Sequence, residues 1–187
     1  GWGVWYGEGS RYNTSNKLNG YTQSSYKAEA RALLHITRTA GVPTCIKCDC
    51  QPSVNTFNKI VNDPNYDVSK CADGELWEAI KFHINAAPKG FFKCDWIPSH
   101  LDEPAHPNYK KKGFYLDNGI TSEAHILGNA QADGMAKGGA ALHTDSPEPR
   151  KASEAKRKLT RTVQNMMVTI WIRHRELDNQ PTDADFA

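Results

Sequence analysis

Along the first 143 residues, apolar positions switch between a period of two and a helical period, with turn residues at each switch. Residues 1–6 interleave glycine with Trp2, Val4 and Trp5, the pattern of a strand near a sheet interior. Gly7-Glu-Gly-Ser10 reads as a turn and residues 18–22 as a short partner strand. From 26 to 39, Ala30, Leu33, Leu34 and Thr37 share one helical side. Ser24 or Ser25 offers the N-cap, and Gly41-Val-Pro43 stops the helix. Residues 44–49 read as a strand. Val54, Phe57, Ile60 and Val61 mark a helix begun by Gln51-Pro52. Asp73 is placed to cap a helix over 75–87, with Leu76, Trp77, Ile80 and Ile84 as its stripe. A strand over 91–98 follows, then a polar loop over 99–127, long enough to suggest function. An Ala/Gly-rich helix over 128–142 closes the series. This order predicts an α/β layered domain.

The pattern changes after residue 143. Asp145-Ser-Pro-Glu-Pro149 reads as a linker, within a linker segment 144–149. Residues 150–177 predict a helix with Leu159, Val163, Met166, Met167, Ile170 and Trp171 on one face. Lys156, Arg157, Lys158, Arg161, Arg173 and Arg175 lie on the other. Such a stripe must bury against something, and a protein partner is the expectation, with phosphate contact by the basic face as a secondary one. Residues 178–187 read as an acidic, disordered tail.

Composition narrows this picture modestly. Of 187 residues, 39% are hydrophobic and 10% aromatic, enough to build a core. No apolar run approaches the roughly 18 residues of a membrane span, so no membrane role is expected. The net charge of +2 hides a C-terminal concentration: residues 150–175 hold eight basic side chains and one acidic. Five cysteines, an odd number, suit a reducing, intracellular setting. Cys45, Cys48 and Cys50 suggest a zinc half-site, but on a strand Cys45 and Cys48 point to opposite faces, which favours buried small side chains. The start, already strand-like and without an initiator Met, is expected of a piece whose natural beginning lies upstream.

Three acids stand on separate ordered elements: Glu29 on the first helix, Asp49 at a strand end, Asp133 on the Ala/Gly-rich helix. Alone, each reads equally as a solvated or capping residue. Together with Trp96-Ile-Pro-Ser-His100 and Gly128-Asn-Ala-Gln-Ala-Asp133-Gly-Met-Ala-Lys137, they suggest a divalent metal site. Gly-Trp-Gly-Val-Trp, Tyr-Lys-Ala-Glu-Ala-Arg-Ala and Ile-Lys-Cys-Asp-Cys-Gln-Pro-Ser-Val complete the set. In this order, residues 1–143 resemble the ribonuclease H type 1 domain, in the form attached to retroelement reverse transcriptases.

The resemblance implies a mixed five-stranded sheet with flanking helices, to which the helix read over 150–177 is an extra C-terminal element. It implies that Glu29, Asp49 and Asp133 hold two Mg²⁺ (or Mn²⁺) ions, and that His100 serves as the mobile-loop histidine, with His125 as its rival. Metal-dependent hydrolysis of RNA within RNA–DNA hybrids follows, the ions activating water and stabilising the departing oxygen. Nucleic-acid contacts are expected at Ser25, Tyr26, Asn129, Lys110, Lys111 and Lys112. Nuclear placement, or an organelle, would go with a retroelement origin. The alternative is an inactive ribonuclease H-like domain serving as a docking subunit.

The family's first strand bears Asp-Gly-Ser, which this sequence lacks. That strand is expected from upstream residues or another polypeptide, unless a rearranged fold has lost catalysis. The family often places Asn or Gln just before the helix Glu to touch RNA 2′-hydroxyls, where this chain has Ser25 and Tyr26. The loop before the last family helix is also longer than in compact members.

Overall fold

A computed structural model describes residues 1–20, 23–143 and 147–178, with side chains in the last segment described for 154–175. The chain divides into two units, Gly1–His143 and Thr144–Ala187. The first is mixed α/β. Its strands are β1 (Trp2–Val4), β2 (Thr14–Asn16), β3 (Thr44–Cys48) and β4 (Phe92–Trp96). Its helices are α1 (Ser25–Thr39), α2 (Gln51–Asn62), α3 (Gly74–Ala86), α4 (Lys112–Asp117) and α5 (Glu123–Ala141).

The expected single sheet is not formed by the described residues. β1 pairs antiparallel with β2, β3 pairs parallel with β4, and the two pairs are separate sheets. No described strand lies between β1 and β3 to bridge them. The partner of β1 is also earlier than predicted: Thr14–Asn16 pairs with it, while Leu18 turns into the core. The two polar side chains at 14 and 15 hid this strand from a hydrophobic pattern.

The β3–β4 pair sits in a conventional apolar core. Ile46, Cys48, Phe92 and Cys94 point inward, and Phe57, Ile60, Trp77 and Ile80 cover them with no residual exposure. Ser24 caps α1 by accepting from the Lys27 amide at 3.1 Å. Trp77 Nε1 donates to the Tyr26 hydroxyl at 2.8 Å, tying α3 to the first turn of α1. Asp73 takes the N-cap place of α3 in the left-handed region, φ 56°, and its carboxylate pairs with Lys27 instead of capping.

The β1–β2 pair is held differently. A Cβ on Gly3 would lie 2.7 Å from the Ala132 carbonyl oxygen and from the Met135 Cβ, so only glycine lets the strand approach α5 this closely. Gly139 is equally pressed against Asn16 from the helix side. The Ala/Gly-rich face of α5 is therefore a seat for backbone.

The predicted loop 99–127 is partly helical. It contains a 3₁₀ turn over Pro107–Lys111 and α4, and α5 starts at Glu123, five residues before the expected Gly128. Ser122 sets that start by accepting from the His125 amide at 3.2 Å.

The second unit contains α6 (Pro147–Asp178). It begins inside the predicted linker, because Pro147 and Pro149 suit a helix's first turn. Residues 144–146 of that linker, and 179–187 of the predicted acidic tail, lie outside the described residues. Leu159, Val163, Met166 and Ile170 form an exposed stripe, and the Arg175 guanidinium lies 5.1 Å over the Trp171 ring. Among the described residues, no helix is long and apolar enough to cross a membrane.

Candidate functional site

Glu29, Asp49 and Asp133, carried by α1, the end of β3 and α5, line one cavity of about 500 Å³. Each is delivered by local sequence. Glu29 precedes the fully buried Ala30, so the helical stripe that packs α1 turns the carboxylate toward the cavity. Asp49 follows buried Cys48 where β3 ends, and the Trp96 indole holds that end by donating to the Asp49 carbonyl at 3.0 Å. Asp133 rises from the small-residue face of α5, beside Ala132 and Ala136.

The ligand atoms of Glu29, Cys48 and Asp49 lie within 4.8 Å of one another. Asp133 shares their cavity and their electrostatics. Burial first, then the Asp49 charge, pushes the Glu29 carboxyl up to about 7, with Asp133 adding to the rise. Asp133 is raised for the same two reasons, opposed by His100 and Lys137. Two carboxyls raised first by burial and then by the neighbouring Asp49 charge mark a site short of positive charge. Asp133 lies outside that close group, which offers two carboxylates and a thiol from α1 and the end of β3; the carboxylate oxygens are the hard donors that suit Mg²⁺ or Mn²⁺. The Cys48 thiol, pushed far up by burial and the Glu29 charge, stays protonated and donates to Glu29 Oε2 at 3.7 Å. Cys48 thus acts as a weak donor to the cluster, a role the sequence reading missed. The signal was present: the strand period that turns Cys45 outward turns Cys48 toward Glu29.

His100 stands near this group, within reach of the Asp133 charge. It occupies the left-handed region at φ 57°, unusual for a residue with a Cβ. Its Nδ1 faces Glu103 Oε1 at 3.1 Å, and its ring packs 4.6 Å from that of His106, a neighbour the sequence reading did not single out. The rival, His125, sits in the first turn of α5, not in the loop. Its Nδ1 is buried without a hydrogen-bond partner among the described residues, and burial first, then Lys47, holds its pKa down.

The residues expected to touch nucleic acid differ in exposure and partners. Tyr26 accepts from the Trp77 indole and is partly buried against the core. Asn129 lines the cavity, and its Nδ2 donates to Asp49 Oδ2 at 3.3 Å. Ser25 is exposed at the start of α1. Lys110 and Lys111 are exposed in the 3₁₀ turn, whereas Lys112 pairs with Glu123 at 3.0 Å. The zinc-suggesting thiols are split as the strand period requires, Cys45 exposed and Cys48 buried.

No protein-family model matches the chain, and no match is found among curated proteins or among solved structures.

Proposed function

We propose that the 1–143 unit is a ribonuclease H-like, metal-dependent endonuclease acting on the RNA of RNA–DNA hybrids. The observation that carries this reading is the convergence of Glu29, Asp49 and Asp133, from three separate elements, on one cavity. These residues would hold Mg²⁺ or Mn²⁺, which supplies charge neutralisation at phosphate and a more acidic water. The chain's own groups prepare that site. Asn129 and the Trp96 indole fix Asp49, and the Cys48 thiol steadies Glu29. Glu103 occupies the Nδ1 side of His100, which leaves Nε2 as the atom to exchange a proton. Phosphate contact falls to Lys110 and Lys111, and contact with the RNA strand to Ser25.

One observation favours the docking alternative. The sheet is split beside the acids, so the described residues present a cluster of two carboxylates and a thiol, with Asp133 in the same cavity, on an incomplete frame. In that reading an added strand and a protein partner on the stripe of α6 are the principal ligands.

Two measurements on the 187-residue protein separate these readings. The nuclease reading expects Mn²⁺ binding by calorimetry and cleavage of a labelled hybrid in Mg²⁺, both lost in Asp133→Asn, with double-stranded DNA left intact. Binding without cleavage supports the docking reading. Neither binding nor cleavage overturns the metal-dependent assignment.

A further inference from the structure

Leu159, Val163, Met166 and Ile170 of α6 follow one another at intervals of four, three and four residues, the rhythm of a coiled-coil seam. All four are 44–65% exposed, and Met167 beside them is 64% exposed. Lys156 and Arg173 continue the same spacing at the two ends and close the apolar run. Their long stems let the charged heads reach water past a facing helix.

The positions that flank the seam restrict what covers it. Thr160 and Met167 border it on one side, Thr162 and Thr169 on the other, and none is charged. Thr162 Oγ1 donates to the Lys158 carbonyl at 3.0 Å, and Thr169 Oγ1 to the Asn165 carbonyl at 2.9 Å. Both hydroxyls are thus satisfied within the helix, so covering them orphans no donor. Thr162, Asn165, Met166, Thr169 and Ile170 line a shallow hollow, the shape that receives a side chain of a facing helix. Arg157, Arg161 and Arg175 fall on the opposite side of the helix at 100° per residue. No charge beside the seam therefore selects an acidic partner. A facing helix needs neutral flanks of its own, and a second copy of α6 has them.

Area and charge agree with self-pairing. At these exposures a side chain of this size offers roughly 100 Å². Five on each copy remove about 1,000 Å² from water, the least that a specific interface requires. Residues 150–161 hold six basic side chains and one acidic, whereas 168–178 hold two of each. Parallel copies would bring the two basic halves together. Antiparallel copies set each basic half against a neutral one and also oppose the helix dipoles. Pairing centred between Gln164 and Asn165 then sets Leu159 against Ile170 and Val163 against Met166 of the second copy, each contact made twice.

We infer that α6 is a self-association helix, which pairs antiparallel with α6 of a second copy of this chain through Leu159, Val163, Met166 and Ile170. The basic side chains face outward from the pair. This names the occupant that the docking reading leaves open; it rests on that reading's exposed stripe and not on the nuclease chemistry.

Sedimentation velocity on the 187-residue protein, over a roughly hundredfold range of concentration, tests it. The expected result is a mass that rises twofold, from one chain to two. Met166→Lys sets a charge in the seam against Val163 of the second copy and should hold the mass at one chain throughout. Lysine forms helix about as well as methionine, so the helix itself is kept. Gln164→Lys adds the same charge away from the seam and should leave the dimer intact. A spin label at position 153, carried on a keto amino acid so that the five cysteines are untouched, reads the direction. Antiparallel copies separate the two labels by roughly 34 Å along the axis, since 153 lies opposite 176. Parallel copies bring their backbones within about 10 Å. One chain at every concentration overturns the inference, since a different protein would then cover the stripe. A mass above two chains, equal effects of the two substitutions, or labels side by side also overturns it. Because mass and distance are read without metal or hybrid, failure here is distinct from failure of hybrid cleavage.

Discussion

The two half-sheets of the 1–143 unit are held by opposite means. The β3–β4 pair lies under large side chains, with Phe57 edge-on to Phe92 at 6.4 Å and Trp77 and Ile80 fully buried nearby. The β1–β2 pair lies on glycine and alanine, its backbone pressed to α5 at Gly1, Gly3 and Gly139. The first arrangement gains stability from apolar area removed from water. The second gains close packing but little area, and it depends on the absence of a few Cβ atoms. The acids span the difference: Asp49 belongs to the first half, Asp133 to the helix that seats the second, and Glu29 to α1 beside both. Site geometry therefore depends on two modules of unequal strength.

Breaking the stronger half should do the most damage. Phe57→Ala is expected to cost about 3–5 kcal/mol and to unfold the unit as a whole, read by chemical denaturation. A small loss confined to α2 would show that this core is not what holds β3–β4. The weaker half should fail locally. Gly3→Val drives its Cβ into Ala132 and Met135, with an expected cost of about 1–3 kcal/mol. Amide exchange should rise across β1 and β2 and stay unchanged in β3 and β4. Uniform loss across all four strands would mean that the halves are one cooperative unit.

The acids between the halves give a pH test. Glu29 titrates near 7 in the folded chain, against 4.5 for its ordinary value. The folded state then binds the extra proton between those values, so this residue's favourable contribution is complete below pH 4.5 and fades as pH rises through 7. Glu29→Gln should therefore stabilise the metal-free protein by ~2 kcal/mol at pH 8, after discounting for partial exposure, and leave it nearly unchanged at pH 4. Equal effects at both pH values would contradict the burial assigned to this carboxyl. The smallest effect is expected on the outer face of the stronger half. Lys47 reaches Asp95 across the parallel ladder at 2.8 Å and holds that carboxyl down to about 2. Both groups are partly solvated, so Lys47→Met should cost only about 0.5 kcal/mol at neutral pH, with the loss shrinking in high salt.

Much of this was readable residue by residue. The helices at 25–39, 51–62 and 74–86, and the strands ending at Cys48 and Trp96, follow apolar spacing because side-chain period is a local property of backbone geometry. Glu29, Asp49 and Asp133 were legible as a set only through the family resemblance, since each alone reads equally as a solvated or capping residue. The strand at 14–16 was not legible, since its two inner partners are the polar Thr14 and Ser15, and Ser15 is anchored by donating to the Met135 carbonyl. Nor was the contact of Asn129 with Asp49, eighty positions away. The contacts of Tyr26 with Trp77 and of Lys112 with Glu123 were not legible for the same reason, since neither is encoded by spacing.

By itself the sequence determined α1, α2, α3, β3 and β4, their inward faces and the acids they carry, because sterics and burial of a helix or strand depend on nearby residues. Only the tertiary structure decided that β1–β2 and β3–β4 stand apart with a cavity between them. It also placed the Cys48 thiol on Glu29 and moved His125 from loop to helix. Those outcomes depend on contacts between distant parts of the chain, where close packing on α5 competes with ladder formation.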